Sequence, residues 1–390
     1  MNAERSLAHI ETIIDIHPIP DADRIVLAKV LGWNVVVGKD EFRIGDKVVY
    51  IEIDSRLNTM FEPFAFLTKD VDKYGFVHIK TKKLRGVYSQ GLCIKVPEKY
   101  NDLPVGADVS ALFNKKKEGL NLAIIHNEEY GDYKSVWVSL QRKISKFGRW
   151  WRRILHKIFP NLGKKKKVYV PSPYDIIGVG KTDETRIQAL PELFERLKAE
   201  KIKLIATEKL DGSSSTYFLR GGEYFIASRN TALYYAKGKK AKQSETFDGS
   251  AWQLIETKYF MREKLEAIKS KLNSDSVLIQ GEAIGSKIQG NPYKFAENEY
   301  SLRVFNIKID GVLSYDDMKK IGGDYDIETV PFAGEYVVGA DETMESFVAR
   351  SDGKSVLNQD TIREGLVYRS EDYKLSFKAV SNAYLLEKGE

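Results

Sequence analysis

Two strand-forming segments that flank a lysine place the strongest constraint on the fold of this chain. The segments are 203–207 (KLIAT) and 215–219 (STYFL), and between them lies 208–213 (EKLDGS). Their β-branched, apolar and aromatic residues predict two neighbouring strands, so that Lys209 lies at a bend in a sheet. Nearby cations or partial burial can lower a lysine pKa from about 10.4 towards about 7 to 8, where the amine becomes a nucleophile. An ordinary surface turn has the same short pattern. The rest of the chain must therefore distinguish a nucleophilic lysine from a lysine in a surface turn.

The composition is that of a soluble globular protein with room for two domains. Of 390 residues, 43% are hydrophobic and 30% are charged. The single cysteine, Cys93, excludes an internal disulfide framework and favours a reducing compartment. The sequence has neither the basic and apolar pattern of a secretory signal nor the run of about 18 apolar residues that a membrane-spanning helix needs. We therefore expect an intracellular, cytoplasmic protein.

The positive charge of the chain is concentrated in one segment. The formal net charge is +6, but 11 Lys or Arg residues and no acidic residue lie between Gln141 and Lys167. Subtraction of this +11 from +6 leaves −5 for the remainder of the chain. The basic character is therefore local, as expected of a binding patch or arm.

Residues 1–115 contain short strand-like segments separated by turns with Gly and Asp, which is typical of a small β-barrel. Examples are 35–38 (VVVG), 47–53 (KVVYIEI) and 92–96 (LCIKV). The phrase 17–25 (HPIPDADRI) resembles a segment of the small barrels that bind tRNA and single-stranded nucleic acid. We therefore predict an OB-fold nucleic-acid-binding domain over 1–115, with a purely structural barrel as the alternative.

Residues 116–167 differ in composition from the segments on either side. Apolar residues recur there at helical intervals with Lys and Arg between them, at Ile144, Phe147, Trp151, Ile154 and Ile158. A basic amphipathic helix of this kind can bind nucleic acid, lie on a membrane surface or bind an acidic partner. A linker helix that packs on one of the domains is the remaining alternative. We predict a basic amphipathic linker or insertion, with 142–167 as a candidate nucleic-acid contact.

Residues 168–390 are predicted to form the second domain, and they carry a series of motifs in a fixed order. The motifs are 208–212 (EKLDG), 228–230 (SRN), 281–282 (GE), 304–307 (VFNI), 364–367 (EGLV) and a terminal lysine motif with Lys378. Apolar residues on one face predict a long helix between the second and third motifs, and they are Trp252, Ile255, Tyr259, Leu265, Ile268 and Leu272.

The ordered motifs resemble those of the ATP-dependent RNA ligases of the covalent nucleotidyltransferase superfamily. With a barrel before the catalytic domain, residues 1–115 and 168–390 resemble the Deinococcus and Naegleria type of RNA ligase. This resemblance implies an α+β chain, in which an N-terminal OB-fold β-barrel precedes an antiparallel-sheet nucleotidyltransferase (adenylyltransferase) domain of the ATP-grasp-like ligase type. The basic segment lies outside the resemblance.

The resemblance also implies a role for each matching position. The catalytic residues would be Lys209 as the nucleophile that carries AMP, Asp211, and Lys378 as the cation beside the α-phosphate. Arg229 would bind a phosphate through its fork of donors, and Phe305 would stack on adenine. Residues implied to bind the nucleotide are Glu208, Arg229, Glu282, Phe305, Glu364, Lys374 and Lys378. A hydrated Mg²⁺ or Mn²⁺, which prefers oxygen ligands, would lie near Asp211, Glu282 and Glu364.

Two positions depart from the family pattern. The last motif usually has two lysines two residues apart, but Ser376 occupies the first of these positions, and Lys374 is a possible replacement from a shifted register. Position 306 is Asn, where the family often has Asp. Neither change removes the nucleophile, and we expect an active enzyme.

The implied reaction has three steps. ATP adenylylates Lys209 with loss of pyrophosphate, AMP passes to a 5′-phosphate end, and a 3′-hydroxyl attacks that end with release of AMP. The implied partner is RNA, or an RNA-containing duplex, with 3′-OH and 5′-phosphate ends, and we expect a monomer that acts in RNA repair. DNA ligase and mRNA guanylyltransferase share the lysine motif, but both usually carry the OB-fold after the catalytic domain. From another class, a nucleic-acid-binding protein with an inactive catalytic domain remains the alternative.

Overall fold

The computed structural model describes residues 6–110, 113, 123–127, 130–131, 183–310 and 314–389. The chain divides into two compact units, one of residues 3–166 with 385–390 and one of residues 167–384 with 1–2. The basic helix predicted within 142–167 lies outside the described residues, as do the predicted domain boundaries at 115 and 168. Those boundaries therefore stay predictions.

The N-terminal unit is built from short antiparallel strands. A sheet with the order β3-β2-β1-β4-β9, a second with the order β10-β5-β6 and a separate hairpin, β7-β8, make up its described part. The strands are β1 (Ala8–Pro18), β2 (Ile25–Val30), β3 (Trp33–Gly38), β4 (Lys47–Ile51), β5 (Ser55–Asn58), β6 (Phe76–Ile79), β7 (Lys82–Leu84), β8 (Val87–Ser89), β9 (Leu92–Lys95) and β10 (Ile124–His126).

The long strand β1 curls the larger sheet because it pairs with β4 through its first half and with β2 through its second half. Its register shifts between Ile13 and Asp15, and an irregularity of this kind bends a strand. Side chains from both sheets, among them Ile10, Val49 and Val77, meet in one buried core. The predicted small barrel is therefore confirmed.

The C-terminal unit contains two antiparallel sheets and five whole α-helices in its described part, and a sixth α-helix begins in it. The sheets have the orders β18-β11-β19-β20 and β15-β14-β13-β12-β16-β17. The strands are β11 (Leu204–Lys209), β12 (Ser213–Arg220), β13 (Glu223–Ser228), β14 (Ala232–Lys237), β15 (Lys240–Gln243), β16 (Ser276–Gly285), β17 (Tyr300–Ile309), β18 (Phe332–Tyr336), β19 (Gly365–Ser370) and β20 (Ser376–Val380). The helices are α1 (Pro191–Glu200), α2 (Ala251–Tyr259), α3 (Met261–Leu272), α4 (Tyr315–Asp324), α5 (Met344–Ala349) and α6 (Asn382–Lys388).

Each sheet of this unit packs its apolar side on helices. The six-stranded sheet buries Tyr217 and Ile279 against Ile255 of α2 and Leu265 of α3, whereas the four-stranded sheet packs on α1 and α5. The α+β class and the antiparallel sheets are thus confirmed. None of the described helices is long and apolar enough to cross a bilayer.

The prediction of one long helix over 252–272 is wrong, because the structure has two helices there. Phe260 adopts a left-handed conformation (φ 49°) between α2 and α3, and its N–H donates to the carbonyl of Glu256 as a C-terminal cap. The apolar spacing is nearly continuous through this break, so periodicity alone did not reveal it.

Candidate active site

Strand pairing places Lys209 beside an acidic residue that lies far away in sequence. Lys209 ends β11, and its backbone pairs with that of Gly365 at the start of β19. Glu364 precedes this glycine, so its carboxylate reaches the lysine, and Nζ donates to Oε1 at 2.6 Å. A Cβ on Gly365 would collide with the carbonyl oxygen of Ala379 on β20, which explains the glycine at this position.

The electrostatic environment of Lys209 differs from the expectation of a lowered pKa. Burial does lower the pKa of the amine, but the carboxylates of Glu364, Glu282 and Asp183 outweigh burial, and the net pKa is raised. In this state of the protein the side chain is therefore a protonated ammonium that is paired with Glu364. The prediction of a lowered pKa did not take into account that several acidic residues lie close to this one amine.

The loop after Lys209 packs tightly against β16. A Cβ on Gly212 would lie 2.5 Å from the carbonyl oxygen of Ala283 and 2.7 Å from Cγ of Glu282, so no larger residue fits without a shift of backbone. The backbone N–H of Asp211 donates to the hydroxyl of Tyr293 at 2.7 Å. These contacts fix Asp211 next to Glu282.

Glu282 is partly buried and lies among other acidic residues, and both conditions raise its pKa. Burial, together with repulsion from Glu364 and Asp211, raises its pKa to about 8, although Lys209 and Arg229 oppose the shift. Among the described residues, no three His, Cys, Asp or Glu side chains form a group that could hold a metal ion directly. Carboxylate oxygens are ligands of Mg²⁺, which usually keeps several of its waters in protein sites.

Three charged side chains form a second group, in which one carboxylate bridges two cations. Oδ1 of Asp183 accepts from Nζ of Lys378 at 2.8 Å, and Oδ2 accepts from the guanidinium of Arg229, also at 2.8 Å. The segment that carries Asp183 is fixed to β20 because the N–H of Lys378 donates to the carbonyl of Thr185. Lys378 is largely buried, and burial, Lys209 and Arg186 lower its pKa to about 8, although Asp183 opposes the shift.

An apolar wall and a buried acid lie beside the loop. Leu210, Ile284 and Val330 form a buried cluster, and the partly exposed ring of Phe305 packs on it. Glu208 is buried just before the lysine, and burial raises its pKa. Its Oε2 accepts from the N–H of Val356 at 2.8 Å, and a hydrogen bond from Ser355 also opposes the rise in pKa, whereas the buried Oε1 has no partner of its own among the described residues. A ligand with an N–H group could satisfy this atom.

Sequence reasoning missed Asp183 and also Arg369, which joins three parts of the unit. Its guanidinium donates to the carbonyl of Phe305 at 2.6 Å, to Glu184 at 2.8 Å and to Ser376 Oγ at 3.2 Å. Arg369 pairs directly with Ser376 across β19 and β20. Arg369 thus places a cation opposite Ser376, where the family usually has its first lysine. The pairing of β19 with β20 was the signal that could have identified Arg369.

Two positions singled out in the sequence lie outside this network of contacts. Lys374 is in the turn before β20, its side chain is 82% exposed, and Nζ pairs with Asp372 at 3.0 Å. Asn306 donates to Gln280 at 2.9 Å across β16 and β17. The structure therefore brings together Lys209, Asp211, Arg229, Glu282, Glu364 and Lys378, but the contacts that connect them do not include Lys374.

Comparison with known proteins identifies both parts of the chain. A family model described as an OB-fold domain matches residues 7–96, and a family model described as RNA ligase matches residues 202–380. A search among curated proteins gives no match.

Solved structures of one enzyme match the whole chain. The Naegleria gruberi RNA ligase with PPi is 28% identical with a TM-score of 0.73, over 99% of this chain and 100% of that chain. A mutant of that ligase with AMP and Mn is 27% identical with a TM-score of 0.73, over 98% and 99%. Another mutant, with ATP and Mn, is 28% identical with a TM-score of 0.72, over 98% of each chain. The chain therefore carries an OB-fold domain followed by an RNA ligase domain, in the same order and over nearly the same full length as the Naegleria gruberi enzyme.

Proposed function

We propose that this chain is an ATP-dependent RNA ligase that joins a 3′-hydroxyl to a 5′-phosphate through an adenylylated lysine. The observation that carries the proposal is the position of Lys209, which ends a strand beside Glu364 while Lys378 and Arg229 supply two cations nearby. A nucleophilic amine, acids and cations suited to phosphate are the groups that adenylyl transfer needs. The Naegleria enzyme, which was solved with ATP, AMP and Mn, supports the same chemistry.

In the first proposed step, Nζ of Lys209 attacks the α-phosphorus of ATP. A P–N bond forms, the bond to the β-phosphate oxygen breaks, and pyrophosphate leaves with the electron pair of that bond. Lys209 must lose a proton before the attack, and Oε1 of Glu364 already accepts a hydrogen bond from it at 2.6 Å. Lys378 would stabilise the charge on the α-phosphate, and Arg229 would bind a neighbouring phosphate.

The adenosine part of ATP fits the apolar wall and the buried acid. The ring of Phe305 offers a flat surface for the base, next to Leu210 and Ile284. The buried Oε1 of Glu208 can accept a hydrogen bond from an amino group, which adenine has at its edge. We assign these two residues to base recognition.

Asp211, Glu282 and Glu364 would hold a hydrated Mg²⁺ or Mn²⁺. When bound, the ion neutralises phosphate charge and offsets the acids that otherwise hold Lys209 protonated. Glu282 fits this role because burial and repulsion from Glu364 and Asp211 raise its pKa to about 8, and a bound cation would favour its charged form.

In the second and third proposed steps the nucleotide moves to RNA. The 5′-phosphate oxygen attacks the phosphorus of the lysyl adenylate, which breaks the P–N bond and returns the amine of Lys209. The 3′-hydroxyl then attacks the 5′-phosphorus, a phosphodiester forms, and AMP leaves. We propose RNA, or an RNA-containing duplex, with these ends as the substrate. We also propose that the protein acts as a monomer, which light scattering tests.

The N-terminal unit offers a surface for RNA. The hairpin β7-β8 carries Lys82, Lys83 and Arg85 on exposed positions, and Nζ of Lys83 lies 5.4 Å from the ring centre of Tyr88. Cations beside an aromatic ring suit phosphate contact combined with base stacking. The role of 142–167 in nucleic-acid binding stays a prediction.

Incubation with α-labelled ATP or GTP and Mg²⁺ or Mn²⁺, followed by denaturing electrophoresis, tests the proposal. Label from ATP should stay on the wild type and be absent from Lys209→Ala. Lys203→Ala is the matched control, because Lys203 is exposed and pairs with Glu335 and Glu371. Label from GTP alone would indicate an mRNA guanylyltransferase. No label from either nucleotide in the folded wild type would indicate a non-catalytic nucleic-acid-binding protein.

A positive result must then be extended to RNA. A nicked duplex with RNA on the 3′-hydroxyl side and a nick made entirely of DNA should be compared with the labelled enzyme. Sealing of the RNA-containing nick is expected, and sealing of the DNA nick alone would indicate a DNA ligase.

A further inference from the structure

We infer that Asp183 is a displaceable counter-ion, which occupies the phosphate-binding cations when no nucleotide is present and leaves when a phosphate arrives. The inference rests on the proposed function, because Lys378 and Arg229 are the cations assigned there to phosphate. Asp183 belongs to none of the motifs that point to an RNA ligase.

The first observation is the geometry of the carboxylate. One oxygen of Asp183 binds Lys378 and the other binds Arg229, each at 2.8 Å. A phosphate also has several oxygens on one central atom, so it could bind Lys378 through one oxygen and Arg229 through another, as the carboxylate does. The carboxylate and a phosphate therefore compete for the same donors.

The second observation is the burial of one cation. The side chain of Lys378 is only 11% exposed, and a charge removed from water is costly unless an opposite charge accompanies it. An anion must therefore accompany Lys378 both with and without nucleotide. Asp183 supplies that anion in this structure, and a phosphate would supply it in the complex.

The third observation is that the Asp183 carboxylate can move away from the two cations while the backbone of Asp183 keeps its position. The side chain of Asp183 is 38% exposed, so water can receive it. Two residues further on, the carbonyl of Thr185 accepts from the N–H of Lys378, and Arg186 forms a parallel bridge with Lys378. Rotation about the side-chain bonds of Asp183 would free the cations without a change in β20.

Competition and simple support predict opposite changes in affinity. If Asp183 competes with phosphate, Asp183→Asn strengthens nucleotide binding because no ion pair has to be broken. If Asp183 only holds Lys378 and Arg229 in place, the same change weakens binding because both side chains lose their support.

The test is isothermal titration of the full chain with Mg²⁺ and the ATP analogue that has a methylene group between its α- and β-phosphates, which cannot transfer AMP. Asp183→Asn and Asp183→Ala should both lower the Kd of the analogue by about fivefold, as expected for the loss of two partly exposed ion pairs. The control is Asp324→Asn, which breaks a pair with Lys271 through a carboxylate that is exposed to a similar degree (43% against 38%) and should leave the Kd unchanged. The alanine variant also removes any contact that the amide retains.

An unchanged or higher Kd in both folded Asp183 variants would overturn the inference. Labelling of the wild type with α-labelled ATP separates this failure from failure of the proposed function. A wild type that forms the lysyl adenylate, together with unchanged affinity in the variants, refutes the role of Asp183 alone. A wild type that binds no analogue and forms no adenylate refutes the proposed function, and with it the inference.

Discussion

Lys209 and Glu364 are 155 residues apart in sequence, yet Nζ of the lysine lies 2.6 Å from Oε1 of the glutamate. The antiparallel pairing of β11 and β19 creates this contact, because Lys209 pairs with Gly365. Glu364 contributes to the raised pKa of Lys209 and so helps to hold the unliganded lysine in its charged form.

We expect Glu364→Gln to lower the rate of lysyl-AMP formation by about 10² to 10³, the usual cost of losing one aligned electrostatic group. The amide keeps the size of the side chain but can neither accept a proton from Lys209 nor help to hold a cation. Single-turnover labelling with α-labelled ATP measures the rate. Glu342→Gln is the control, because Glu342 pairs with Arg350 at another place in the unit. Equal rates in wild type and Glu364→Gln would exclude the assigned role.

Gly212→Ala should reduce adenylylation by at least about tenfold, because a misplaced reactive group is costly even when the shift is small. The added methyl group would lie 2.5 Å from the carbonyl oxygen of Ala283, so the loop must move away from Glu282. Gly323→Ala is the matched control, since nothing lies within 4 Å of its Cβ position and no positive φ is required. Single-turnover labelling at saturating ATP distinguishes the two variants, and equal activity would contradict the argument.

The affinity for the unreactive ATP analogue should fall as the pH rises above about 8. Lys378 has a pKa lowered to about 8, chiefly by burial, so it is a cation below this pH and becomes neutral above it. Its other charged neighbours are Lys209, Asp183 and Arg186. Glu282 has a pKa of about 8 as well, so the contribution of Lys378 is the difference between wild type and Lys378→Arg, which keeps its charge between pH 7 and 9.5. The affinity of the wild type should fall more steeply than that of Lys378→Arg over this range, and the same pH dependence in both proteins would show that Lys378 does not bind the phosphates in its charged form.

Replacement of Lys82, Lys83 and Arg85 by Gln should weaken RNA binding and reduce the slope of log Kd against log salt. Loss of about two to three phosphate contacts lowers this slope by about the same number for a duplex. Fluorescence anisotropy with a labelled nicked duplex gives both quantities. The charge-matched control replaces Lys39, Arg43 and Lys99, which are exposed elsewhere in the unit. An unchanged slope for the hairpin variant would place RNA elsewhere.

The stability of the N-terminal unit should depend on pH through His9. Burial alone lowers the pKa of this imidazole, but Glu11 and Glu52 outweigh burial and raise it to about 9. Because the folded pKa exceeds the unfolded value of about 6.5, His9 contributes about 3 kcal/mol that is fully present below pH 6.5 and is lost as the pH rises through 9. In urea unfolding, wild type and His9→Gln should therefore differ more at pH 6.5 than at pH 9.5. The same difference at both pH values would contradict this assignment.

The sequence alone determined the features that depend on residue type and local order. The strand that ends at Lys209, the small barrel before it and the order of the acidic, basic and aromatic motifs were all predictable, because each follows from a short pattern. The break at Phe260 was not, since apolar spacing does not report one residue with a left-handed backbone.

The tertiary structure decided which side chains meet. Strand register brought Glu364 to Lys209 and Arg369 to Ser376, and a segment fixed to β20 brought Asp183 between Lys378 and Arg229. These contacts also set the electrostatics, since Lys209 has a raised pKa and Lys378 a lowered one although both are partly buried lysines. The physical reason is that a pKa depends on all charges within a few ångströms, and those charges come from strands that are distant in sequence.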